Sequence, residues 1–389
     1  MENKERALAH VEKIEWIRPI EGADNIELIG VLGWVCIAKK GEFNVGDMAV
    51  YIEIDSKCPE TDERFAFLAN KKFKVKTMKL GKFKVISQGL ALPLSLFPEL
   101  QDRNIGDDVT EALKITYASE EDAARKTNKV DPNAKYKAMA KRRPKLFANP
   151  IVRRIMRYSI GRKIMFLLFG RKKDNPKKFP DWIVKTDETR IENAPFYLQS
   201  TEKWIKTEKC DGTSCTFAVD RLKKGKNKFD FIVCSRNVRQ ADREQACYHE
   251  SNIYWELADK YDIEKILTQF ATENNYNRVV LQGEGVGSVQ GNPYKFTENK
   301  LFVFNLIIDG TRLGTVEMAD FCKSHGLTSV PIIDTAYELP KTMEEMKLEA
   351  DGYSELNPKV KREGFVYRSI DGQQSFKNVS REYLLKHNG

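Results

Sequence analysis

The four residues Lys209-Cys210-Asp211-Gly212 constrain this chain more than any others. Asp-Gly closes a tight turn. The apolar, β-prone run Cys215-Thr216-Phe217-Ala218-Val219 follows almost at once, which puts the lysine in a strand–turn–strand setting. A lysine before a surface turn is ordinarily solvated and protonated, with a pKa of about 10.4. Taken alone, so short a pattern supports no more than that. To act as a nucleophile the amine must lose its proton, through desolvation, neighbouring cations or a bound metal. The rest of the chain decides between the two readings.

Residues 8 to about 112 are β-rich. Ile26–Ala38 divides into two short strands near Gly33, and Ala49–Ile54 is the clearest strand. Gly22-Ala23-Asp24-Asn25 and the stretch from Lys39 to Asp47 supply turn chemistry. Many short strands with turns between them predict a small barrel. Lys72, Lys74 and Lys76 alternate with apolar residues, which predicts one lysine-lined sheet face for nucleic acid, or equally a solvated or lysine-protected edge. From Pro180 onward the pattern is α+β. Helices are predicted at 252–258, 263–272, 315–325 (closed by Gly326), 343–350 and 380–386. Strands are predicted at 215–219, 229–234, 278–283, 301–308 and 364–368.

Between these parts lies the charge. From Lys135 to Lys178 there are sixteen Lys or Arg against one acid, Asp174. That segment is +15, and since the whole chain is +9 the remainder is −6. Such a block suits a polyanion, through phosphate neutralisation and counterion release. Ser119-Glu120-Glu121-Asp122 predicts the start of a polar helix, and 127–134 a loop. Further on, 150–158 and 163–169 mix apolar and basic residues at helical spacing. Such a stretch suits RNA or an anionic membrane surface, and the flanking domains favour RNA. The division is therefore 1–112, 113–179 and 180–389. Seven scattered cysteines without a Cys-x-x-Cys pair, and four histidines, argue against a zinc site or disulfide framework and for reduced thiols in a cytoplasm. The N-terminus has no signal-peptide core, and the longest apolar stretch, Ile164–Phe169, is too short to span a bilayer.

Five further blocks follow Lys209 in order: Ser235-Arg236-Asn237, Leu281-Gln282-Gly283-Glu284-Gly285, Leu301-Phe302-Val303-Phe304-Asn305, Glu363-Gly364-Phe365-Val366 and Ser375-Phe376-Lys377-Asn378. Each has a plainer alternative when read singly. Glu284 is a turn acid, Phe304 is core, and Glu363 beside Lys361-Arg362 is a surface ion pair worth about 0–1 kcal/mol. Together, over 180–389, they resemble the covalent nucleotidyltransferases, the superfamily of ATP-dependent ligases and capping enzymes. The Gly46-to-Asp55 and Ile86-to-Pro93 segments, with Lys185-Thr186-Asp187-Glu188-Thr189-Arg190 ahead of the lysine, are similar to a branch of ATP-dependent RNA ligases that carries its OB-like domain at the N-terminus. The implied architecture is an N-terminal OB-like β-barrel, a basic helical connector, and a C-terminal adenylation domain with antiparallel sheets.

The resemblance implies that Lys209 attacks the α-phosphorus of ATP and that Lys377 stabilises the charge developing there. It implies that Asp211, Glu284 and Glu363 hold Mg²⁺ or Mn²⁺, for which oxygen ligands are suited. Arg236 would hold ribose or phosphate, and Phe304 would stack the adenine, with Phe302 one pleat away as its alternate. Glu208 would accept from the adenine amino group, selecting ATP over GTP. Lys72, Lys74, Lys76, Arg153, Arg154 and Arg157 would contact RNA. Relatives often carry a second lysine where this chain has Ser375, leaving the phosphate grip to Lys377 or to another basic residue such as Lys386. The implied activity is sealing of 3′-OH and 5′-phosphate RNA ends, at nicks in duplex RNA or an RNA–DNA hybrid. No partner protein or membrane is implied. The rivals are a DNA ligase, against which domain order argues, a capping guanylyltransferase, and an RNA-binding protein with a degenerate domain.

Overall fold

A computed structural model describes residues 6–118, 144–169, 177–223, 228–240 and 252–387. The polar helix and loop expected at 119–134 lie outside them.

The N-terminal part is built on five strands: β1 (Ala9–Pro19), β2 (Ile26–Val31), β3 (Trp34–Lys39), β4 (Met48–Ile52) and β5 (Leu90–Pro93). They lie in the order β3-β2-β1-β4-β5, all neighbours antiparallel. One apolar layer gathers Leu8, Val11, Val50, Phe65 and Phe97, and a second gathers Ile14, Ile29, Trp34 and Tyr51. The expected lysine face at 72–76 does not form as one strand. Lys72 closes a 3₁₀ helix, Glu63–Lys71, in the left-handed conformation, and Phe73 is left-handed too. Only Lys74–Val75 pairs with a neighbour, so the alternation covers a turn and a two-residue strand.

The C-terminal part holds two sheets. One contains β7 (Thr213–Arg221), β8 (Phe229–Cys234), β9 (Arg278–Val286) and β10 (Lys300–Ile308), in the order β8-β7-β9-β10 within a larger sheet. The other contains β6 (Trp204–Glu208), β11 (Ile332–Tyr337), β12 (Gly364–Ser369) and β13 (Ser375–Val379), in the order β13-β12-β6-β11, with Thr189–Arg190 pairing parallel to β13. Five helices accompany them: Ile253–Lys260, Ile263–Glu273, Thr315–Ser324, Met343–Ala350 and Arg381–His387. All five agree with the sequence expectation to within a residue or two.

The two parts share a core. Val379 and Leu384, at the C-terminal end, pack in the same layer as Trp34 and Tyr51. Gly33 N donates to the Glu192 carbonyl at 2.8 Å, and Lys347 Nζ donates to the Gly33 carbonyl at 2.7 Å. Arg190 Nη2 pairs with Asp55 at 2.9 Å. Three short helices, Pro144–Ala148, Pro150–Met156 and Ser159–Phe169, form a separate cluster around Met165.

Candidate active site

The chain leaves one sheet at Glu208 and enters the other at Thr213, and Lys209-Cys210-Asp211-Gly212 is the bridge between them. Its backbone is held from both sides. Lys209 N donates to the Gly364 carbonyl at 3.0 Å, and Asp211 N donates to the Tyr294 hydroxyl at 2.7 Å. A side chain at Gly212 would run into the Gly285 carbonyl oxygen, so the close crossing of the two strands needs glycine there.

Lys209 points into a set of acids. Its Nζ pairs with Glu363 Oε1 at 2.7 Å. Burial pulls the ammonium down, but Glu363, Glu284 and Asp211 outweigh it and hold the lysine above its usual value. Glu284 lies on β9 opposite Ser214 on one side and Phe302 on the other. Burial, with Glu363 and Asp211 nearby, pushes its carboxyl up to about 8 against the pull of Lys209. The Asp211 side chain is hydrogen-bonded to Tyr383, from the last helix. Among the described residues, no three His, Cys, Asp or Glu side chains close a metal site by themselves. The charge they present is instead balanced by the Lys209 ammonium. Glu363 in contact with Lys209, and Glu284 and Asp211 acting on it electrostatically, are oxygen donors of the hard kind that Mg²⁺ or Mn²⁺ takes, so their chemistry fits such an ion although they do not form a closed site without it.

A second group adjoins the first. Lys377 Nζ donates to Asp187 Oδ1 at 2.7 Å, and Arg236 Nη2 to Asp187 Oδ2 at 3.0 Å. Asp187 therefore bridges the two cations assigned to phosphate and ribose. Its carboxyl is held well below the usual range: burial raises it, but Lys377, Arg236 and Arg6 prevail. Lys377 is drawn down to about 8 by burial, with Arg190, Arg6 and Lys209 adding to the fall and Asp187 opposing it. Arg236 also lies over the Tyr117 ring, 5.6 Å from its centroid.

Phe304 and Phe302 face the same apolar cluster as Cys210 and Val286. Phe302 is buried under Phe296, whose ring stacks on it at 6.2 Å, whereas Phe304 is half-exposed. Of the two rings, Phe304 is the less buried, with the Arg368 guanidinium 6.0 Å from its centroid. Glu208 is buried, its oxygens accepting from the Ser354 hydroxyl and from Glu355 N at 2.7 Å. Its carboxylate thus anchors the 354–355 loop. Ser375 donates to Glu188, which also pairs with Arg368 at 3.2 Å. Glu188 takes up the position's hydrogen bond where a lysine would bring charge.

Three site residues escaped the sequence reading: Asp187, Tyr294 and Tyr383. Asp187 lies inside the Lys185-to-Arg190 block, but nothing in its spacing marks it as the bridge. The tyrosines act through single hydroxyls from distant segments, and no local pattern announces that.

A family model described as an RNA ligase matches residues 202–386, and one described as an OB-fold domain matches 8–94. Among solved structures, Naegleria gruberi RNA ligase with PPi is 31% identical, with a TM-score of 0.75, covering 98% of this chain and 99% of that one. This chain belongs to the RNA ligase family. It is an ATP-dependent RNA ligase of the nucleotidyltransferase superfamily with an N-terminal OB domain. A mutant of the Naegleria gruberi ligase with ATP and Mn matches at 30% identity and a TM-score of 0.74, over 98% of this chain and 99% of that one. Another, with AMP and Mn, gives 30% and 0.75 over the same shares. No curated protein matches. No helix among the described residues of this RNA ligase is long and apolar enough to cross a membrane.

Proposed function

We propose that this RNA ligase seals 3′-OH and 5′-phosphate ends, at nicks, through a lysyl-AMP intermediate at Lys209, using ATP and Mg²⁺ or Mn²⁺ in the cytoplasm. The observation that carries the reading is the Lys209 amine, fixed at the crossing of two sheets against Glu363, with Glu284 and Asp211 beside it. In the first step Lys209 Nζ bonds to the α-phosphorus and the bond to the pyrophosphate oxygen breaks. In the second, an oxygen of the RNA 5′-phosphate attacks the same phosphorus, the P–N bond breaks and Lys209 is released. In the third, the 3′-OH attacks the 5′-phosphorus and AMP leaves.

The chain's own residues divide this work. Lys209 is protonated while it pairs with Glu363, so the amine must be freed before it attacks. A divalent ion held by Asp211, Glu284 and Glu363 would take over their charge, favour the free amine and offset phosphate charge. Lys377 and Arg236, set at a fixed spacing by Asp187, would meet the α-phosphate and ribose. Phe304, half-buried beside the Arg368 guanidinium, would stack the adenine. Glu208 would read the adenine amino group with its remaining lone pairs. The working division is an OB domain over 1–112, a connector over 113–179 and an adenylation domain over 180–389.

The test is intact mass after incubation with ATP and Mg²⁺. The protein is expected to gain one AMP, and Lys209→Ala to gain none. A nick ending in ribose 3′-OH should then seal faster than an all-DNA nick, because the 2′-OH is what permits that choice. Adenylation of Lys209→Ala would move the nucleophile elsewhere, and equal sealing of both nicks would favour DNA repair.

A further inference from the structure

The connector helices carry two apolar faces. Inward, Met165 packs with Leu146, Phe147, Val152, Met156, Phe166 and Phe169. Outward, Ile160, Ile164, Leu167 and Leu168 fall at i, i+4, i+7 and i+8 of the Ser159–Phe169 helix, one continuous stripe. Leu167 is 84% exposed, Ile160 71% and Leu168 65%. The neighbouring helix repeats the device, with Ile151 70% exposed and Ile155 one turn on. Exposed aliphatic side chains in this number are unusual on a soluble surface, where they mark a binding face.

The charge around the stripes has one sign. Residues 144–169 contain six Lys or Arg and no acid. Arg153, Arg154 and Lys163 are exposed on the same two helices as the stripes, and Arg157 is exposed in the turn that joins them. Arg153 Nε donates to the Phe147 carbonyl at 3.3 Å while the residue stays exposed; Arg162 is half-buried, with its guanidinium turned back onto the Met156 and Arg157 carbonyls, each at 3.3 Å, joining the two helices.

We infer that this helical pair is a docking face for an anionic lipid surface, on which it lies without crossing. RNA accounts for the arginines, but a phosphodiester backbone offers no apolar medium for Ile160, Ile164, Leu167 and Leu168. A second copy would bring an equal positive charge against the first. A membrane interface meets both demands: acyl chains receive the aliphatic stripe while lipid phosphates and carboxylates receive the basic residues. Tyr158, 65% exposed between the helices, has the apolar ring and polar tip that settle at such an interface. On this proposal Arg153, Arg154 and Arg157 meet lipid headgroups where the sequence suggested RNA, and the ligase would work next to a membrane.

The experiment uses the full-length protein and sedimentation with three vesicle preparations: phosphatidylcholine alone, phosphatidylcholine with phosphatidylserine, and the latter in high salt. Binding is expected only with the anionic vesicles, and to weaken strongly in salt, because surface attraction falls off within a Debye length. The triple variant Ile160→Ser, Leu167→Ser, Leu168→Ser should lose at least about tenfold in vesicle partition, as deleting buried apolar groups from an interface predicts. Its affinity for nicked RNA and its adenylation should be unchanged, which also shows that it is folded. The inference is overturned if wild type ignores anionic vesicles, if the triple variant binds them as well as wild type, or if the variant instead loses RNA affinity or a protein partner.

Discussion

At the residue scale, the site is governed by which charges face each other. Lys377 is drawn down to about 8 by burial and nearby cations, and Asp187 is the group that resists. If Lys377 grips phosphate as a cation, single-turnover adenylation should fall as pH rises through about 8. Asp187→Asn should move that alkaline limb to lower pH, since the group raising the lysine's pKa is gone. A pH–rate profile with the same limb in both proteins would remove Lys377 from the phosphate grip. A second titration belongs to the OB domain. His10 Nδ1 lies 2.8 Å from Glu12 and its Nε2 3.5 Å from Glu53. Burial lowers its pKa, but those carboxylates outweigh burial and raise it to about 9. The folded value lies above the unfolded one, so the contribution is complete below about pH 6.5 and lost as pH rises through about 9, an effect of up to about 3 kcal/mol. Melting temperature should drop across that window in wild type and stay flatter in His10→Gln.

At the element scale, the bridge between β6 and β7 is the unit that matters, because it holds the lysine where two sheets cross. Gly364, at the entrance of β12, has φ of 149° and lies so close to the Asn378 carbonyl oxygen that a Cβ cannot fit. Its own carbonyl accepts from Lys209 N. Gly364→Ala should therefore cost about 1–3 kcal/mol of stability through backbone strain and shift Glu363, its neighbour, away from Lys209. Differential scanning calorimetry with the adenylation assay checks both, and a variant with wild-type melting and rate would show that the strand entrance is tolerant. The helices of this domain were legible in the sequence because their caps are local. Asn252 accepts from Tyr254 N and Trp255 N, and Thr342 with Glu345 forms a capping box. The lysine alternation at 72–76 misled for the opposite reason: left-handed residues at 72 and 73 break the strand, and no side-chain pattern encodes φ.

At the scale of the whole molecule, the OB and adenylation domains are fastened by Arg190–Asp55 and by the Gly33 contacts. Arg190 is 6% exposed, and its pairing partner belongs to the other domain. Arg190→Met should cost about 3 kcal/mol, the low end for breaking a buried pair because Asp55 keeps some water, and should separate the melting of the two domains. A single unchanged transition would show that the shared apolar layer alone holds them together. That layer also explains why Tyr383 reaches Asp211: the last helix is pinned under the OB barrel by Leu384.

The sequence by itself determined the order of the blocks, the barrel-then-ligase arrangement, and the identity of Lys209, Asp211, Glu284, Glu363 and Lys377 as the residues to examine. Lys209 and Asp211 were readable because they sit in a turn, and Glu363 because it stands at a strand entrance, where signals are local; Glu284 and Lys377, inside β9 and β13, were readable because the order of the blocks along the chain is specific. The tertiary structure alone decided how those residues are connected. It made Asp187 the bridge between Lys377 and Arg236, put Tyr294 and Tyr383 against Asp211, and left Phe304 half-buried where Phe302 is buried. It also turned the aliphatic stripe of 160–168 outward. Each of these depends on contacts between residues far apart in the chain, and a hydrogen bond or a buried face carries no trace in the spacing of the residues that make it.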